Sequence, residues 1–440
     1  MSEHLIDGTK LTNIADAIRE KTGETAQMGV DAMPAKIRSI SAGGSGGGST
    51  PTPTPASVDV DKDILFIDYD GTPVASWTLE QLAAKTALPA APTHAGLTFQ
   101  EWNWTLEQLK AENAPMVVGA NYITDDGKTR LYIRLDRSGR LTYPLRFNQT
   151  VENGVTINWG DGSAEETAAG TEDVNVSHTY AAGGRYTITL LPAEGCTFTL
   201  IRDLTIMTDW IIEAVQAVEL GRGITSLVGK PSYGAFYGFS SLKSISVPKT
   251  VTDMWTSTFS GCGRLKGVVI PAGVTTVKAS LFQDCKALLY ASCPKSVTSV
   301  LERAFQSCAA LLRADLPKTV DTLGAYALAY CYSLPRFVIP EGVAAVPGNL
   351  LLSAKSVMYV KAGAGVTSVG NYAFQAAYSG LCYDFTACTA VPEFSGNRVF
   401  FNIPADCQIR VPAALESAWK AVANLSSYTN YIVGVSGDAE

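Results

Sequence analysis

From about residue 220 onward, the apolar positions of the chain recur with a fixed period of 23 residues. Several phases of the period hold the same kind of residue in almost every copy. They include Pro248, Pro271, Pro294, Pro317 and Pro340; Phe236, Phe259, Phe282, Phe305, Leu328, Leu351 and Phe374; Cys262, Cys285, Cys308 and Cys331; and Leu242, Leu265, Leu288, Leu311 and Leu334. A fixed period of this length predicts a solenoid, because each coil must stack on its neighbours to bury its apolar side.

Upstream of the repeats, most of the pattern is that of β-strands. Residues 64–74 read ILFIDYDGTPV, a strand followed by a turn. Residues 116–200 alternate apolar and polar positions in runs such as TRLYIRLD and YTITLL, which turn signals such as ENG and WGDGS separate. Residues 11–40 instead carry apolar residues at helical spacing, which predicts short helices that pack against a partner or another copy.

These changes in pattern predict a multidomain, mainly β protein. The segment AGGSGGGSTPTPTPAS has a flexible half and an extended half, and it marks a boundary whether it is a natural tether or an engineered spacer. At the other end, a strand, a short helix with Trp419 on its apolar side and a last strand are expected to close the stack. The predicted parts are a helical anchor at 1–41, a linker at 42–57, a β module at 58–115, a β-sandwich at 116–200, the repeats at 201–385 and a cap at 386–440.

The cysteine phase is predicted to be a packing position. Stacked coils lie about 5 Å apart, so the thiols of four coils would span about 15 Å. A zinc site needs four sulfurs at about 2.3 Å from one point, and parallel stacked Cβ vectors do not favour a disulfide. Phe239, Ala354 and Ala377 occupy the same phase in other coils, so the position accepts small or apolar side chains. Cys308 is therefore expected to be a buried rung rather than a nucleophile or a ligand.

Composition and motifs limit the classes of function that the chain can have. The net charge is −7 and there is no long basic run, which argues against nucleic acid as a partner. No apolar run is long enough to insert into a membrane, and the N-terminus has no secretory signal, which disfavours ordinary export. His4, His94 and His178 lie in three different segments, and no nucleophile elbow, phosphate loop or dinucleotide-binding motif is present. We therefore expect a protein without enzymatic activity, cofactor or metal.

The repeat strands offer a candidate binding face. Alternate residues of a strand point to opposite sides, and one set is uniformly apolar, as in Ile245 and Val247. The other set is predicted to face outward, where Tyr and Arg on rigid strands are common recognition residues, although an ordinary solvated face is the alternative. The candidate binding residues are Tyr290, Arg313, Asp315, Arg336, Tyr359 and Lys361. The alternative site is the aromatic group Trp77, Trp102 and Trp104, for which core or inter-domain packing is the favoured interpretation.

Three stretches resemble known families. The coil V-x-I-P followed by T-x-V-x-x-x-A-F-x-x-C-x-x-L resembles the BspA-like leucine-rich repeat of bacterial surface and phage-encoded proteins. The runs INWGDGSAEE and VSHTYAAGGRYTITL resemble a polycystic-kidney-disease (PKD) type β-sandwich, in which we expect Asp161 to tighten a turn rather than bind calcium and His178 to be a packed strand residue. The run from Pro89 to Trp102 resembles the β-grasp-like repeats of internalin-type surface proteins.

The segment 11–40 resembles short helical segments of phage tail proteins. This resemblance implies a phage or prophage tail component in the virion, made in the host cytoplasm, that binds a bacterial surface receptor (a glycan or a protein). Its N-terminal helices would contact other tail or baseplate proteins, and a homo-oligomer is possible. The alternative is a BspA-like adhesin on a bacterial cell surface, and a third reading is a carbohydrate-active enzyme with accessory modules.

Overall fold

Along the part of the chain that the structure describes, the first sheet belongs to the β module. The computed structural model describes residues 58–136, 139–202, 208–229, 233–375 and 381–436, and the predicted helices at 11–40 and the linker at 42–57 lie outside them. The elements of the module are β1 (Ile64–Ile67), β2 (Pro73–Trp77), α1 (Leu79–Ala84), β3 (Leu97–Trp102), α2 (Leu106–Glu112) and β4 (Met116–Thr124). The sheet order is β2-β1-β4-β3, so the module continues to Thr124, past the predicted boundary at residue 115.

The sequence repeat WTLEQL corresponds to the start of each helix of the module. Thr78 precedes α1 and Thr105 precedes α2. The hydroxyl of each threonine accepts a hydrogen bond from the backbone amide of the glutamine three residues later. The side chains of Gln81 and Gln108 accept in return from the threonine amides. Each copy is thus a capping box, which satisfies amide groups that have no partner within the helix.

A β-sandwich follows the module. Its elements are β5 (Thr129–Leu135), β6 (Thr142–Gln149), β7 (Val155–Asn158), β8 (Glu166–Thr167), β9 (Val174–Thr179), β10 (Gly184–Pro192), β11 (Phe198–Leu200), α3 (Asp209–Ala214) and β12 (Val215–Glu219). One layer, which we call the large sheet, contains β12-β5-β10-β7-β8, and the other has the order β11-β6-β9. The strands alternate buried and exposed positions, as the sequence predicts, so the two layers enclose a shared core.

The WGDGS turn of the sandwich is held together by side chains. Asp161 Oδ1 accepts hydrogen bonds from the amide and the hydroxyl of Ser163, and Asp161 Oδ2 lies 2.7 Å from His178 Nε2. The hydrogen bonds from Ser163 and then from His178 hold the pKa of Asp161 well below its usual value. His178 in turn stacks on buried Trp159 with ring centres 5.1 Å apart. One carboxylate oxygen is therefore engaged within the turn and the other with His178 on β9, as a structural role of Asp161 requires.

The repeats form parallel ladders along both faces of a solenoid. Their strands are β13 (Ser226–Leu227), β14 (Ser244–Ser246), β15 (Asp253–Met254), β16 (Gly267–Val269), β17 (Thr276–Val277), β18 (Tyr290–Ser292), β19 (Ser299–Val300), β20 (Thr322–Leu323), β21 (Arg336–Val338), β22 (Ala345–Val346), β23 (Tyr359–Lys361), β24 (Ser368–Val369), β25 (Cys382–Asp384) and β26 (Glu393–Phe394). The outward-facing ladder includes the pairs β16–β18, β21–β23 and β23–β25, all parallel. Because β14 also pairs with β12, the large sheet of the sandwich runs directly into the solenoid.

The C-terminal segment closes the stack. Its elements are β27 (Gln408–Pro412), a 3-10 turn (Ala413–Leu415), α4 (Glu416–Lys420), a 3-10 segment (Ala423–Tyr431) and β28 (Ile432–Val435). Trp419 is fully buried and its ring packs against Phe385 and Phe394 at 5.0 and 5.4 Å. The sheet order β21-β23-β25-β27-β28 shows that the segment extends the repeat ladder by two strands.

The interior of the solenoid consists of side-chain ladders. The rings of Phe236, Phe259, Phe282 and Phe305 stack in sequence with centres 5.9, 5.6 and 5.3 Å apart. This spacing is close to the distance between neighbouring strands, so each ring fills the space directly above the preceding one. Each 23-residue period of the sequence thus corresponds to one step along a continuous apolar column.

The cysteine ladder has the packing role that its phase predicts. Cys308 is fully buried, and its thiol donates to the carbonyl oxygen of Phe282 in the preceding coil at 3.1 Å. Cys262, Cys285 and Cys331 make the same bond to the phenylalanine of the coil before them, at 3.3, 3.0 and 3.2 Å. Burial raises the pKa of the Cys331 thiol to about 12 and that of Cys308 well above its usual value. All nine cysteines are free thiols.

Candidate functional site: the outward face of the repeat strands

The β module covers the first half of the predicted binding face. Tyr290 is only 3% exposed, because its side chain packs with Leu65, Ile67, Val117 and Val269. Tyr290 points outward from its strand, as predicted, but on that side it contacts residues of β1 and β4 instead of solvent. The prediction that Tyr290 is available to a ligand is therefore wrong.

Arg313 is also removed from solvent, at 9% exposure. Its guanidinium donates to the carbonyl oxygens of Lys62 and Asp63, each at 2.6 Å, and to Asp315 Oδ2, also at 2.6 Å. Planar guanidinium groups suit such convergent acceptors, because several N–H groups point outward in one plane. Arg313 and Asp315 therefore fasten the module to the solenoid, and the prediction that they are exposed recognition residues is wrong.

Polar side chains complete this interface. Asn103 Nδ2 donates to the carbonyl oxygen of Ile270 and to the hydroxyl of Ser292, each at 2.9 Å, and Ser292 Oγ donates to the carbonyl oxygen of Val117 at 2.7 Å. A Cβ atom on Gly267 would collide with the backbone of Gly71, so these two segments of the chain meet without any side chain between them. Asn103 and Ser292 both find partners there, and satisfied buried polar groups favour one docking geometry.

The competing aromatic site is also buried. Trp77, Trp102 and Trp104 are 8%, 7% and 1% exposed, respectively. Trp77 and Trp102 pack edge-on against Phe66, with ring centres at 4.6 and 5.2 Å, and Trp104 Nε1 donates to the carbonyl oxygen of Cys293 at 2.8 Å. These rings form the core of the module and part of its interface, so the favoured interpretation, core or inter-domain packing, is confirmed and the alternative aromatic binding site is not exposed.

Beyond Arg313 the outward face is open. In this part, which we call the open strip, two parallel rows follow the strand register. The strip consists of Arg336, Tyr359, Cys382 and Gln408 in one row and Val338, Lys361, Asp384 and Arg410 in the other. Arg336 and Lys361 are exposed, Tyr359 is half-buried, and Val338 is 45% exposed. Three of the six predicted binding residues therefore lie together on an accessible surface.

A carboxylate organises the centre of the open strip. The hydroxyl of Tyr359 donates to Asp384 Oδ2 at 2.6 Å, and Asp384 Oδ1 accepts from the hydroxyl of Thr386 at 2.6 Å. Burial alone would raise the pKa of Asp384, but the hydrogen bonds from Thr386 and Tyr359 lower it on balance. Burial and the neighbouring Asp384 raise the pKa of Tyr359. At neutral pH the strip therefore presents a fixed carboxylate between the cations Lys361 and Arg410.

A groove lies where the covered and open parts meet. Its volume is about 380 Å³, and its walls are the end of α2 with residues 113–115 on one side and the repeat strands on the other. Arg336, Lys361 and Lys318 supply positive charge, while Val338 and Leu316 supply apolar surface. The volume falls within the range of about 300–1,000 Å³ that is typical of small-ligand sites. The groove and the open strip together form one candidate recognition site.

Among the described residues, no group of three or more His, Cys, Asp or Glu side chains is arranged to hold a metal ion. In the same part of the chain, no helix combines the length and apolar character needed to cross a bilayer.

Cys382 is expected to react with thiol reagents before any other cysteine. Eight cysteines are buried and Cys382 is half-buried on the open strip. Burial raises the pKa of every ladder thiol and also that of Cys382, so accessibility rather than acidity distinguishes Cys382 from the others. Mass spectrometry after brief alkylation of native protein should show one modified thiol, and eight more after unfolding in urea. Cys382→Ser should abolish the rapid reaction, whereas rapid modification of the cysteine ladder would contradict its packing role.

Sequence reasoning missed the partners that define this site. Asp384, Cys382, Gln408 and Arg410 continue the outward rows, but proline and cysteine no longer mark the phase there, so periodicity alone did not extend the face to them. Sequence reasoning also did not predict that the β module covers the first coils of the solenoid. One signal was present in the sequence, because Gly267, Ser246 and Ser292 are small outward residues where a closely packed neighbour needs space.

The architecture is a leucine-rich-repeat solenoid, and comparison assigns its type. Residues 223–289 and 256–380 match the BspA type leucine rich repeat region, in six copies, and the repeats of this chain are of that type. No curated protein matches the chain.

Several solved structures are similar to part of the chain. A leucine-rich repeat protein of T. pallidum is 25% identical over 39% of this chain and 80% of that chain, with a TM-score of 0.33. One from Bacteroides ovatus is 16% identical over 45% and 65%, with a TM-score of 0.33. A leucine rich cell surface protein from Faecalibacterium prausnitzii is 21% identical over 57% and 84%, with a TM-score of 0.31.

Proposed function

We propose that this chain is a non-enzymatic adhesin that acts at a bacterial cell surface and binds a glycan or a protein through the open strip and its groove. The observation that carries the proposal is the division of the outward face. The module buries one half, and the other half leaves Arg336, Tyr359 and Lys361 accessible beside a groove of about 380 Å³. The match to BspA-type repeats supports a location at a bacterial surface, because repeats of this type are those of bacterial surface proteins as well as of phage-encoded ones.

The physical basis is a rigid, chemically mixed surface. Tyr359, Lys361 and Asp384 lie on adjacent strands of a continuous parallel ladder, so ordering them on binding costs little conformational entropy. The ring of Tyr359 can stack on a sugar face or an apolar side chain. The cations Arg336 and Lys361 can bind carboxylate or phosphate groups next to it.

Replacing Arg336 and Lys361 together by alanine is expected to abolish ligand binding without loss of fold. Hot-spot contacts of this kind each contribute about 1–3 kcal/mol, whereas exposed substitutions change stability by only about 0.5 kcal/mol. A glycan array and pull-downs with intact cells measure the binding, and thermal unfolding measures the fold. The matched control is Arg264→Ala with Lys286→Ala, which removes the same charge from exposed positions elsewhere on the solenoid. Equal binding by both double variants would refute the assignment to the open strip.

A second setting is favoured by one observation, the similarity of residues 11–40 to helical segments of phage tail proteins. In that setting the same open strip would bind a bacterial receptor, and residues 11–40 would attach the chain to other tail or baseplate proteins. Proteomic analysis of purified phage particles tests it. If virions contain the full chain and a chain lacking residues 1–57 is absent from them, the phage-tail assignment replaces the cell-surface assignment. Turnover of a bound glycan would contradict the non-enzymatic part of the proposal in either setting.

A further inference from the structure

A second cluster of cations lies away from the open strip, on the outer surface of the sandwich. Arg134 on β5, Arg185 on β10 and Lys243 just before β14 line a pocket of about 330 Å³. All three side chains are exposed. None of them forms an ion pair within the described ranges, although the chain carries more acidic than basic residues, 41 against 34.

The register of the large sheet places two of these cations against each other. Arg134 and Arg185 are direct partners in the antiparallel pairing of β5 and β10. Like charges directly opposite each other destabilise a sheet, so this pair is unfavourable for folding. Arg130, four residues earlier on the same strand, is instead 2.8 Å from Asp126, and Arg146 on the facing layer is 3.2 Å from Asp173. The arginines of the pocket thus lack the compensation that neighbouring arginines have.

The rest of the pocket is suited to a polar organic ligand rather than to a bare ion. Tyr132, Thr187 and Gln216 also line it. The hydroxyl of Tyr132 donates to Glu219 at 2.9 Å, which holds the ring in place at the wall of the pocket. Thr187 is the direct strand partner of Tyr132, so a hydroxyl and an aromatic surface adjoin each other there. Hydroxyl and amide groups bind sugar hydroxyls, and a fixed aromatic surface packs against a sugar ring.

From this arrangement we infer that the pocket binds a sugar that carries an oxyanion, either the carboxylate of an acidic sugar or the phosphate of a sugar phosphate. The guanidinium groups of Arg134 and Arg185 form the anion site, since each can make two parallel hydrogen bonds to such a group. Lys243 adds a third positive charge. The small size of the pocket and the net charge of −7 argue against nucleic acid, which requires an extended basic surface.

Binding can be measured by titration calorimetry of the full chain with an oligogalacturonate, with glucose 6-phosphate and with an uncharged maltooligosaccharide. We expect one of the two anionic sugars to bind and the neutral one not to bind. Arg134→Gln with Arg185→Gln should weaken binding roughly 10- to 100-fold, because charge-assisted hydrogen bonds are lost. The same variant should keep or raise the melting temperature, since it removes a like-charge pair, and a purely structural role would lower it.

Two controls separate this site from the rest of the chain. Arg264→Gln with Lys286→Gln makes the same change in net charge at exposed positions and should bind normally. Arg336→Ala with Lys361→Ala tests whether the open strip takes up the same sugars: loss of binding in this variant, with binding retained by Arg134→Gln with Arg185→Gln, would assign the sugar to the open strip and overturn the inference without touching the adhesin proposal. Failure of both anionic sugars to bind at millimolar concentration, equal loss in the control variants, or tighter binding of duplex DNA that depends on the same two arginines would overturn the inference.

Discussion

Replacement of Arg313 by alanine is expected to lower the free energy of unfolding by about 3–5 kcal/mol, the usual result of removing one partner from a buried charged network. The side chain of Asp315, only 14% exposed, would lose its cation, and the carbonyl oxygens of Lys62 and Asp63 would lose their donor. The module would then dock less firmly on the solenoid. Urea unfolding measures the loss, and limited proteolysis should reveal earlier cleavage within the module.

The chain supplies a matched control for this experiment. Arg336 occupies the same phase one coil later, but it is exposed. Arg336→Ala should therefore change stability by no more than about 0.5 kcal/mol. If the two alanine variants unfold at the same urea concentration, Arg313 does not anchor the module and the covered half of the face must be explained in another way.

Phe282→Ala is expected to cost about 3–5 kcal/mol, because it opens a cavity in the middle of the aromatic column. Phe282 is fully buried and contacts the ring above and the ring below, with centres at 5.6 and 5.3 Å. In a repeat array each coil is stabilised mainly by its neighbours, so the loss weakens two coil–coil interfaces at once. Urea unfolding monitored by circular dichroism measures the effect.

A conservative variant tests whether packing is the cause. Leucine occupies this phase at Leu328 and Leu351, where both side chains are buried. Phe282→Leu should thus cost less than about 1.5 kcal/mol, since most of the volume is retained. A loss as large as that of the alanine variant would mean that the stacked rings contribute something that apolar volume does not replace.

The repeats were predictable because their information is local and redundant. One 23-residue coil sets the phase, and six further copies confirm it, so the apolar columns through Phe282 and Cys308 follow from the sequence. The pleat of the strands likewise determined that Tyr290 and Arg313 point away from those columns. The conformations within each coil were less evident. Ser307 and Tyr330 have a positive φ, at 61° each, although neither is the glycine that usually marks such a position.

Which residues of the outward face are exposed could not be derived from the repeat pattern. Exposure of Arg313 depends on carbonyl groups about 250 residues earlier in the chain, and that of Ser292 on Asn103, 189 residues away. No periodicity links these segments, and the groups of the module that accept hydrogen bonds from Arg313 are backbone carbonyl oxygens, which every residue has. The pocket of the sandwich is similar, because Arg134 and Arg185 become neighbours only through the register of β5 and β10.

By itself, then, the sequence determined the solenoid, its phases, the packing role of its cysteines and the direction in which each strand residue points. These properties follow from short-range periodicity and from the need of each coil to cover its apolar side. The tertiary structure alone decided which outward residues remain available to a ligand. The docking of the module buries Tyr290 and Arg313 and leaves Arg336, Tyr359 and Lys361 accessible, and the contacts responsible join parts of the chain that only folding brings together.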